Sequence, residues 1–294
     1  MDKPQIIGIG LNGLVGSRVL QLLGNKFDFI NLSRSQGVDI TDSKSLTKIK
    51  EYSKANFVIH MAAKTDVDSC EKDEDQGEEG EAWRINVEGS MNLAEICRET
   101  GKKIIYISTD FVFDGEKPVG EFYSETDIPN PVNWYAKTKF EGEKRVEESG
   151  SDYAILRIAY PYRAEYDLKK DFMRAIKERL QNGLEIKAVT DHLFCPTFID
   201  DVAKAIDLSI ENDLSGIYHA VGSTSLTPYD ASILIAKTFD LDESLISKTT
   251  RAEFFKDRAP RPFNLTLHSD KIKQLGVELV GFEEGLHNIK TGLQ

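Results

Sequence analysis

The sequence predicts a doubly wound α/β fold, a parallel sheet with helices on both faces and a small C-terminal lobe. Two patterns carry this reading. A β-branched run near the start turns through closely spaced glycines into a segment of helical period, and apolar runs of strand length then alternate with helical segments as far as residue 160. Length agrees, since 294 residues suffice for one large core and a smaller lobe.

QIIGIG (5–10) reads as the first strand, and LVGSRVLQLLGN (14–25) as the first helix, with Leu14, Val15, Val19, Leu22 and Leu23 at helical spacing. The alternation continues through a strand FDFINL (27–32), a helix SKSLTKIKEYSK (43–54) and a strand FVIHMAA (57–63). A helix around 83–100, a strand KIIYIST (103–109), a helix from Tyr135 to Glu148 and a strand YAILRIA (153–159) follow. Strands covered on both faces can be apolar at every position, and parallel neighbours need a crossover between them. Beyond Tyr160 the rhythm breaks into a helix near 168–182, a strand EIKAV (185–189), the segment CPTFIDDVAKAIDLSIEN (195–212), a strand GIYHAVG (216–222) and helices near 227–239 and 281–291. No Pro/Gly/Ser-rich linker and no internal repeat divides the chain. The expected division is a core of residues 1–160, completed by about 197–222, and a lobe of residues 161–196 and 223–294 over the strand ends.

Charge and cysteine content narrow the function. With 49 acidic and 37 basic residues the net charge is −12, which argues against nucleic acid or an anionic membrane surface as the main partner. Cys70, Cys97 and Cys195 form no C-x-x-C pair, in keeping with a reducing compartment. With no apolar run of membrane-spanning length and no signal-peptide pattern after Met1, the protein is expected in the cytoplasm. His219, His268 and His287 lack partners at ligand spacing, so no metal is expected, and His60, inside a strand, reads as a satisfied core residue. The segment EKDEDQGEEGE (71–81) is read as a solvated mobile loop, its seven carboxylates following no ligand spacing.

Chemistry enters at the first turn. Gly8-x-Gly10-x-x-Gly13-x-x-Gly16 lies between strand and helix, where glycines permit a tight turn and free amides at the helix start hold a pyrophosphate. That context makes the fold Rossmann-type and the ligand a dinucleotide. The second strand ends in Asn31-Leu32-Ser33-Arg34-Ser35, with no carboxylate for a ribose diol; Arg34 suits a 2′-phosphate, so NADPH is favoured and NADH is the alternative. Asp39 and Ile40 follow at the place expected for the adenine edge.

Tyr135-x-x-x-Lys139 sets a phenol and an ammonium on one helix face, where the ammonium is expected to lower the phenol's pKa for proton transfer at a carbonyl. Ser108-Thr109-Asp110 ends the strand 103–109, setting a hydroxyl at the sheet edge where ligands bind. Thr109, Tyr135 and Lys139 are thus the candidate catalytic residues.

In these motifs the chain resembles the extended short-chain dehydrogenase/reductase superfamily and, within it, the dTDP-4-dehydrorhamnose reductase family. The resemblance runs nearly the whole length, through GLNGLVGS (10–17), VIHMAAKTDVDSCE (58–71), RINVEGSMNLAEIC (84–97), ISTDFVFDG (107–115), YSETDIPNPVNWYAKTKFEGE (123–143), TDHLFCPTFIDDVA (190–203) and RPFNLTL (261–267). It implies an NADPH-dependent reductase of a 4-keto nucleotide sugar, with Tyr135 as proton donor, Thr109 as the hydroxyl on the carbonyl and a homodimer as the assembly. Implied cofactor contacts are Gly10, Asn12, Gly13, Leu14, Val15, Gly16, Arg34, Asp39, Ile40, Ala62, Ala63 and Lys64, with Tyr135 and Lys139. Implied substrate contacts are Thr65, Val67, Asp110, Tyr160 and Arg261, the last meeting the diphosphate. Asn86 is implied to support the active-site strand, and an N-cap or a sheet-to-helix bond explains it equally well.

Two stretches depart from the family pattern. Tyr160-Pro-Tyr-Arg163 stands where relatives tend to have a tryptophan-containing segment ending in Tyr-Gly, and His192-Leu-Phe-Cys195 where they have Gln-x-Gly before a Pro-Thr pair. Two rival functions remain open. One is an NAD-dependent epimerase or dehydratase, disfavoured because only one acid, Asp110, follows Thr109. The other is a non-catalytic subunit resembling the methionine adenosyltransferase beta subunit.

Overall fold

The computed structural model describes residues 3–292. Its centre is a six-stranded, wholly parallel sheet of β1 (Gln5–Ile9), β2 (Asp28–Leu32), β3 (Phe57–His60), β4 (Lys103–Thr109), β5 (Tyr153–Ile158) and, far along the chain, a strand at Gly216–His219. The spatial order is β2-β1-β3-β4-β5 and then Gly216–His219. The order reverses at β1, which pairs with β2 on one side and β3 on the other. The chain leaves β1 and β3 toward opposite faces, opening a crevice at their C-terminal ends.

Alternate residues of each strand face opposite layers. Ile6, Ile59, Ile105 and Leu156 pack on α1 (Leu14–Leu23) and on a helix at Ile199–Glu211. On the other face Ile7, Val58, Ile104 and Ile155 meet Leu93, Ala94 and Val146. That layer holds α2 (Ser43–Leu46), α3 (Val67–Glu71), α4 (Glu81–Trp83), α5 (Gly89–Thr100) and α6 (Trp134–Glu148). Inside it Arg157 of β5 donates from Nε and Nη2 to Glu143 of α6 at 3.0 and 2.7 Å, both side chains 1% exposed.

After β5 the chain forms β6 (Pro161–Tyr162), α7 (Phe172–Gln181), β7 (Ile186–Val189), β8 (Leu193–Phe194), β9 (Thr197–Phe198), α8 (Ile199–Glu211) and β10 (Gly216–His219). It ends with α9 (Pro228–Thr238), β11 (Ile246–Thr249), α10 (Arg251–Phe254), β12 (Asn264–Leu265), α11 (Asp270–Lys273) and α12 (Phe282–Thr291). Three two-stranded parallel pairs, β6 with β9, β7 with β11 and β8 with β12, lie outside the main sheet. A separate core of Tyr162, Met173, Phe194, Phe198, Ile235, Phe282 and Leu286 holds this region together. Among the described residues no helix is long and apolar enough to cross a membrane.

Some elements differ from expectation. The segment 43–54 is α2 followed by a 3-10 turn, Thr47–Glu51, and the helix expected near 168 begins at Phe172 behind an Asp171 cap. β3 ends at His60, because after Met61 donates to the Ile9 carbonyl the backbone leaves the sheet past the glycine turn. The acidic segment is not a free solvated loop. A 3-10 turn (Glu74–Glu79) leads into α4, and the Asp73 carboxylate, 9% exposed, accepts from Lys64 Nζ at 2.7 Å and the Ala82 amide at 3.0 Å. Glu71, Glu74 and Glu81 bind the Trp134 amide, Lys137 and Lys64, so packing against α6 and the strand-end loop orders the segment.

Candidate active site

The crevice between β1 and β3 is lined on one side by the glycine turn. Gly10 has φ of 88°, and a Cβ there would lie 2.6 Å from the Ala62 amide nitrogen, so only glycine lets the two backbones pass. Gly16 is equally constrained, a Cβ meeting Leu11 Cα at 2.5 Å. Gly13 caps α1 without a side-chain partner for the first-turn amides of Leu14, Val15 and Gly16. A phosphate cradle has these features, an uncapped helix start and space that a side chain would fill. Asn12 accepts from Asn31 Nδ2 at 2.7 Å through its side chain and from the Tyr166 hydroxyl at 2.6 Å through its carbonyl.

Arg34 starts a 3-10 turn after β2 and stands 72% exposed, its Nε 3.8 Å from Asp39 Oδ2. Bonds from the Thr41 amide and hydroxyl hold the Asp39 carboxylate below its usual range, burial opposing. Ile40 is a core residue: its side chain packs on Gly89, and its carbonyl accepts from Asn92 at 3.0 Å.

The catalytic candidates converge from β4 and α6. The side chain of Asn133 caps α6 at the Ala136 amide, 2.9 Å, and Glu71 accepts from the Trp134 amide at 2.8 Å. Thr109, 6% exposed, donates from Oγ1 to Asp110 Oδ1 at 3.0 Å, while Asp110 Oδ2 is buried without a partner. Burial pushes the Asp110 carboxyl up to about 7 against the pull of the Thr109 hydroxyl. Tyr135 is raised well above the ordinary phenol range by burial, with the Thr109 hydroxyl opposing and the Asp110 charge adding. The site therefore holds a protonated phenol.

Lys139 corrects one expectation. Its Nζ donates to the Tyr106 hydroxyl at 2.7 Å and the Ile107 carbonyl at 3.0 Å, and lies over the Tyr106 ring 4.0 Å from its centroid. Burial lowers this ammonium to about 7, with Glu143 opposing. The phenol beside it is raised rather than lowered: a buried ammonium turns to the acceptors that replace its hydration, and β4 supplies them.

Asn86 lies in a π-helical turn, Arg84–Glu88, between α4 and α5. It is neither an N-cap nor a sheet contact. Oδ1 accepts from the Lys64 amide at 2.8 Å, and Nδ2 donates to the Lys64 carbonyl and to Thr138 Oγ1, both at 3.0 Å. The loop of Ala62, Ala63 and Lys64 is thereby tied to α6. The Lys64 ammonium points away to Asp73 and Glu81.

Of the substrate candidates, Val67 and Tyr160 pack in one apolar cluster with Tyr135, Phe111 and Cys195, and Asp110 is buried in the 3-10 turn that follows β4. Thr65 accepts from Lys169 at 3.2 Å. Arg261, 7% exposed, donates to Asp68 of α3 at 2.9 Å and to the Ala259 carbonyl at 2.6 Å, and Arg258 shares the same carboxylate. Sequence reasoning missed Asp68, Asp73, Tyr106 and the strap 163–171, in which Arg163 donates to the Leu14 carbonyl and Ser17 while Tyr166 reaches Asn12. No local pattern shows the partners of these residues. Among the described residues no three His, Cys, Asp or Glu side chains gather as a metal site would need.

A parallel sheet with a glycine cradle at its switch point and a hydroxyl, phenol and ammonium beside it defines a protein with the extended short-chain dehydrogenase/reductase fold. The chain belongs to the family described as RmlD substrate binding domain, whose model matches residues 4–294. It is 32% identical over 247 residues to methionine adenosyltransferase 2 subunit beta of Bos taurus, covering 82% of this chain and 71% of that protein. It is 30% identical over 248 residues to dTDP-4-dehydrorhamnose reductase of Sinorhizobium fredii, covering 81% and 80%. The crystal structure of dTDP-4-dehydrorhamnose reductase from Bacillus anthracis in complex with NADP superimposes with a TM-score of 0.90 at 28% identity, covering 99% of this chain and 100% of that one.

Proposed function

We propose that this protein is an NADPH-dependent reductase of a 4-keto nucleotide sugar, of the dTDP-4-dehydrorhamnose reductase type. The observation that carries the reading is the buried convergence of Thr109, Asp110 and Tyr135 beside the crevice between β1 and β3. The family membership and the NADP-bound neighbour support it. We divide the labour between residues 1–160 with about 197–222, which hold the cofactor, and residues 161–196 with 223–294, which close the sugar site.

In this reading Gly10, Asn12, Gly13, Leu14, Val15 and Gly16 cradle the diphosphate, with Ala62 and Ala63 across the crevice. Arg34 pairs with the 2′-phosphate, and Asp39 and Ile40 border the adenine. When bound, the dinucleotide supplies a hydride to the carbonyl carbon. Tyr135 keeps its proton at neutral pH because its phenolate is desolvated, and gives it to the carbonyl oxygen as negative charge develops there. Thr109 turns its hydroxyl to the same oxygen. Lys139, already bonded to Tyr106 and Ile107, fixes the face of α6 that presents Tyr135 and reaches the nicotinamide ribose. Thr65, Val67, Asp110 and Tyr160 line the sugar. Arg261 turns from Asp68 toward the diphosphate, and Lys64 borders the cofactor through its backbone. The free, buried thiols of Cys70, Cys97 and Cys195 fit a reducing compartment, and we assign the enzyme to the cytoplasm.

A regulatory-subunit reading is favoured by the likeness to methionine adenosyltransferase 2 subunit beta. The complete set of Thr109, Tyr135 and Lys139 weighs toward the reductase. The test is NADPH oxidation with dTDP-4-dehydrorhamnose generated in place. Wild type should turn over, and Tyr135→Phe should still bind NADPH while losing about 100-fold or more in kcat. Turnover surviving in Tyr135→Phe removes the proton-donor role, and NADPH binding without turnover in wild type moves the assignment to a different keto sugar or to the regulatory reading.

A further inference from the structure

The two stretches that depart from the family pattern meet in space. The Tyr160 hydroxyl lies 3.0 Å from His192 Nε2. Its ring sits 4.5 Å from that of Phe194, and the rings of His192 and Phe194 stack at 5.8 Å with 7° between their planes. Tyr160 occupies this place at φ of 40°, a left-handed conformation uncommon outside glycine, with Phe111 and Phe172 against its ring. The Phe111 ring meets both Tyr160, at 5.9 Å, and Tyr135, at 6.0 Å, which places Tyr160 in the cluster that holds the catalytic candidates.

The direction of the hydrogen bond follows from the partners. His192 Nδ1 is 2.7 Å from the Pro262 carbonyl oxygen, and a carbonyl only accepts, so Nδ1 carries the ring proton. Burial keeps the ring neutral, its pKa lowered to about 4. Nε2 is then a bare acceptor, and the Tyr160 hydroxyl donates to it. What remains on the Tyr160 oxygen is lone pairs.

We propose that His192 is a positioning residue for the sugar subsite: by accepting the hydrogen bond of the Tyr160 hydroxyl it makes Tyr160 an obligate acceptor, which selects a sugar hydroxyl and rejects a carbonyl oxygen. This rests on the nucleotide-sugar reading above. Tyr135 and Tyr160 then present opposite polarity to the sugar. Tyr135 offers its hydroxyl proton to the keto oxygen, and Tyr160 offers only an acceptor, so a 4-keto sugar whose carbonyl turns to Tyr160 leaves lone pair facing lone pair. Tyr160, His192 and Phe194 thus form one unit that sets the orientation of the sugar.

His192→Phe keeps the ring stack on Phe194 and removes both nitrogens, whereas His192→Gln retains a donor for Pro262 and an acceptor for Tyr160. With dTDP-4-dehydrorhamnose, His192→Phe should raise KM about tenfold or more, with a smaller fall in kcat and no change in KM for NADPH. His192→Gln should recover most of that loss, and His192→Phe should add nothing in a Tyr160→Phe background. Nitrogen-15 NMR of histidine-labelled protein should find His192 as the Nδ1–H tautomer, with an Nε2 resonance that moves in Tyr160→Phe. An Nε2–H tautomer, an unchanged KM in His192→Phe, or additive effects of the two substitutions would overturn the proposal. Failure of the reductase reading looks different: wild type leaves NADPH unoxidised, which removes the subsite role, while the NMR result still decides the bond.

Discussion

Arg34 stands nearly free at the end of β2, its single ion pair with Asp39 stretched to 3.8 Å. An exposed pair of that length is worth at most about 1 kcal/mol, so giving it up for the proposed 2′-phosphate contact would cost little. Arg34→Ala should therefore raise KM for NADPH about tenfold and leave KM for NADH within about twofold, read from steady-state kinetics with each cofactor. Equal effects on both cofactors would show that Arg34 does not contact the 2′-phosphate. The same scale shows where reading residues one at a time misleads. Tyr135-x-x-x-Lys139 reads as a phenol tuned by its neighbour, but in the fold the ammonium donates to Tyr106 and Ile107 and burial is the largest influence on the phenol.

At the scale of elements, α6 is the part on which the site depends, and it is held at both ends. Asn133 and Glu71 cap its start, and toward its end Glu143 pairs with Arg157 of β5 in full burial. Removing one partner of such a pair strands the other charge. Glu143→Gln should cost about 3 kcal/mol in urea unfolding, and Glu143→Leu with Arg157→Met should regain most of it. A loss below about 1 kcal/mol in Glu143→Gln would mean the pair is solvated in solution. The π turn at Arg84–Glu88 belongs to this scale as well, since it places Asn86 between the strand-end loop and Thr138 of α6.

Across the whole molecule, buried histidines set the response to acid. His60, His192 and His219 are lowered by burial to about 3, 4 and 3, so they stay neutral in the fold at a pH where the unfolded chain protonates them. A group whose folded pKa lies below its unfolded value contributes its full stability above the unfolded pKa, here 6.5, and loses it as pH falls. Asp110 acts oppositely, holding in the fold up to about pH 7 a proton that the unfolded chain releases near 4. Between these limits unfolding takes up three protons and releases one. Stability should fall by about 2 kcal/mol per pH unit on acidification from pH 6 to 5, read from urea midpoints across that range. A flat profile would show these rings to be hydrated in solution.

The local patterns determined most of the fold and half of the site. Strand and helix periods are written in neighbouring residues, so the alternation up to Tyr160 was legible, as were the glycine turn and the hydroxyl ending β4. The residues themselves also marked the stretches at 160–163 and 192–195 as unusual. Only the tertiary structure decided what they contact. Tyr160 and His192 are 32 residues apart, Lys139 and Tyr106 33, and Arg261 and Asp68 193, and no periodicity spans such distances. The acidic segment shows the same division: its composition announced a solvated loop, whereas Asp73 is buried on Lys64 and Glu71 caps α6. Composition records what a side chain can do, but burial and partner choice are properties of packing, which only the assembled sheet and its helices supply.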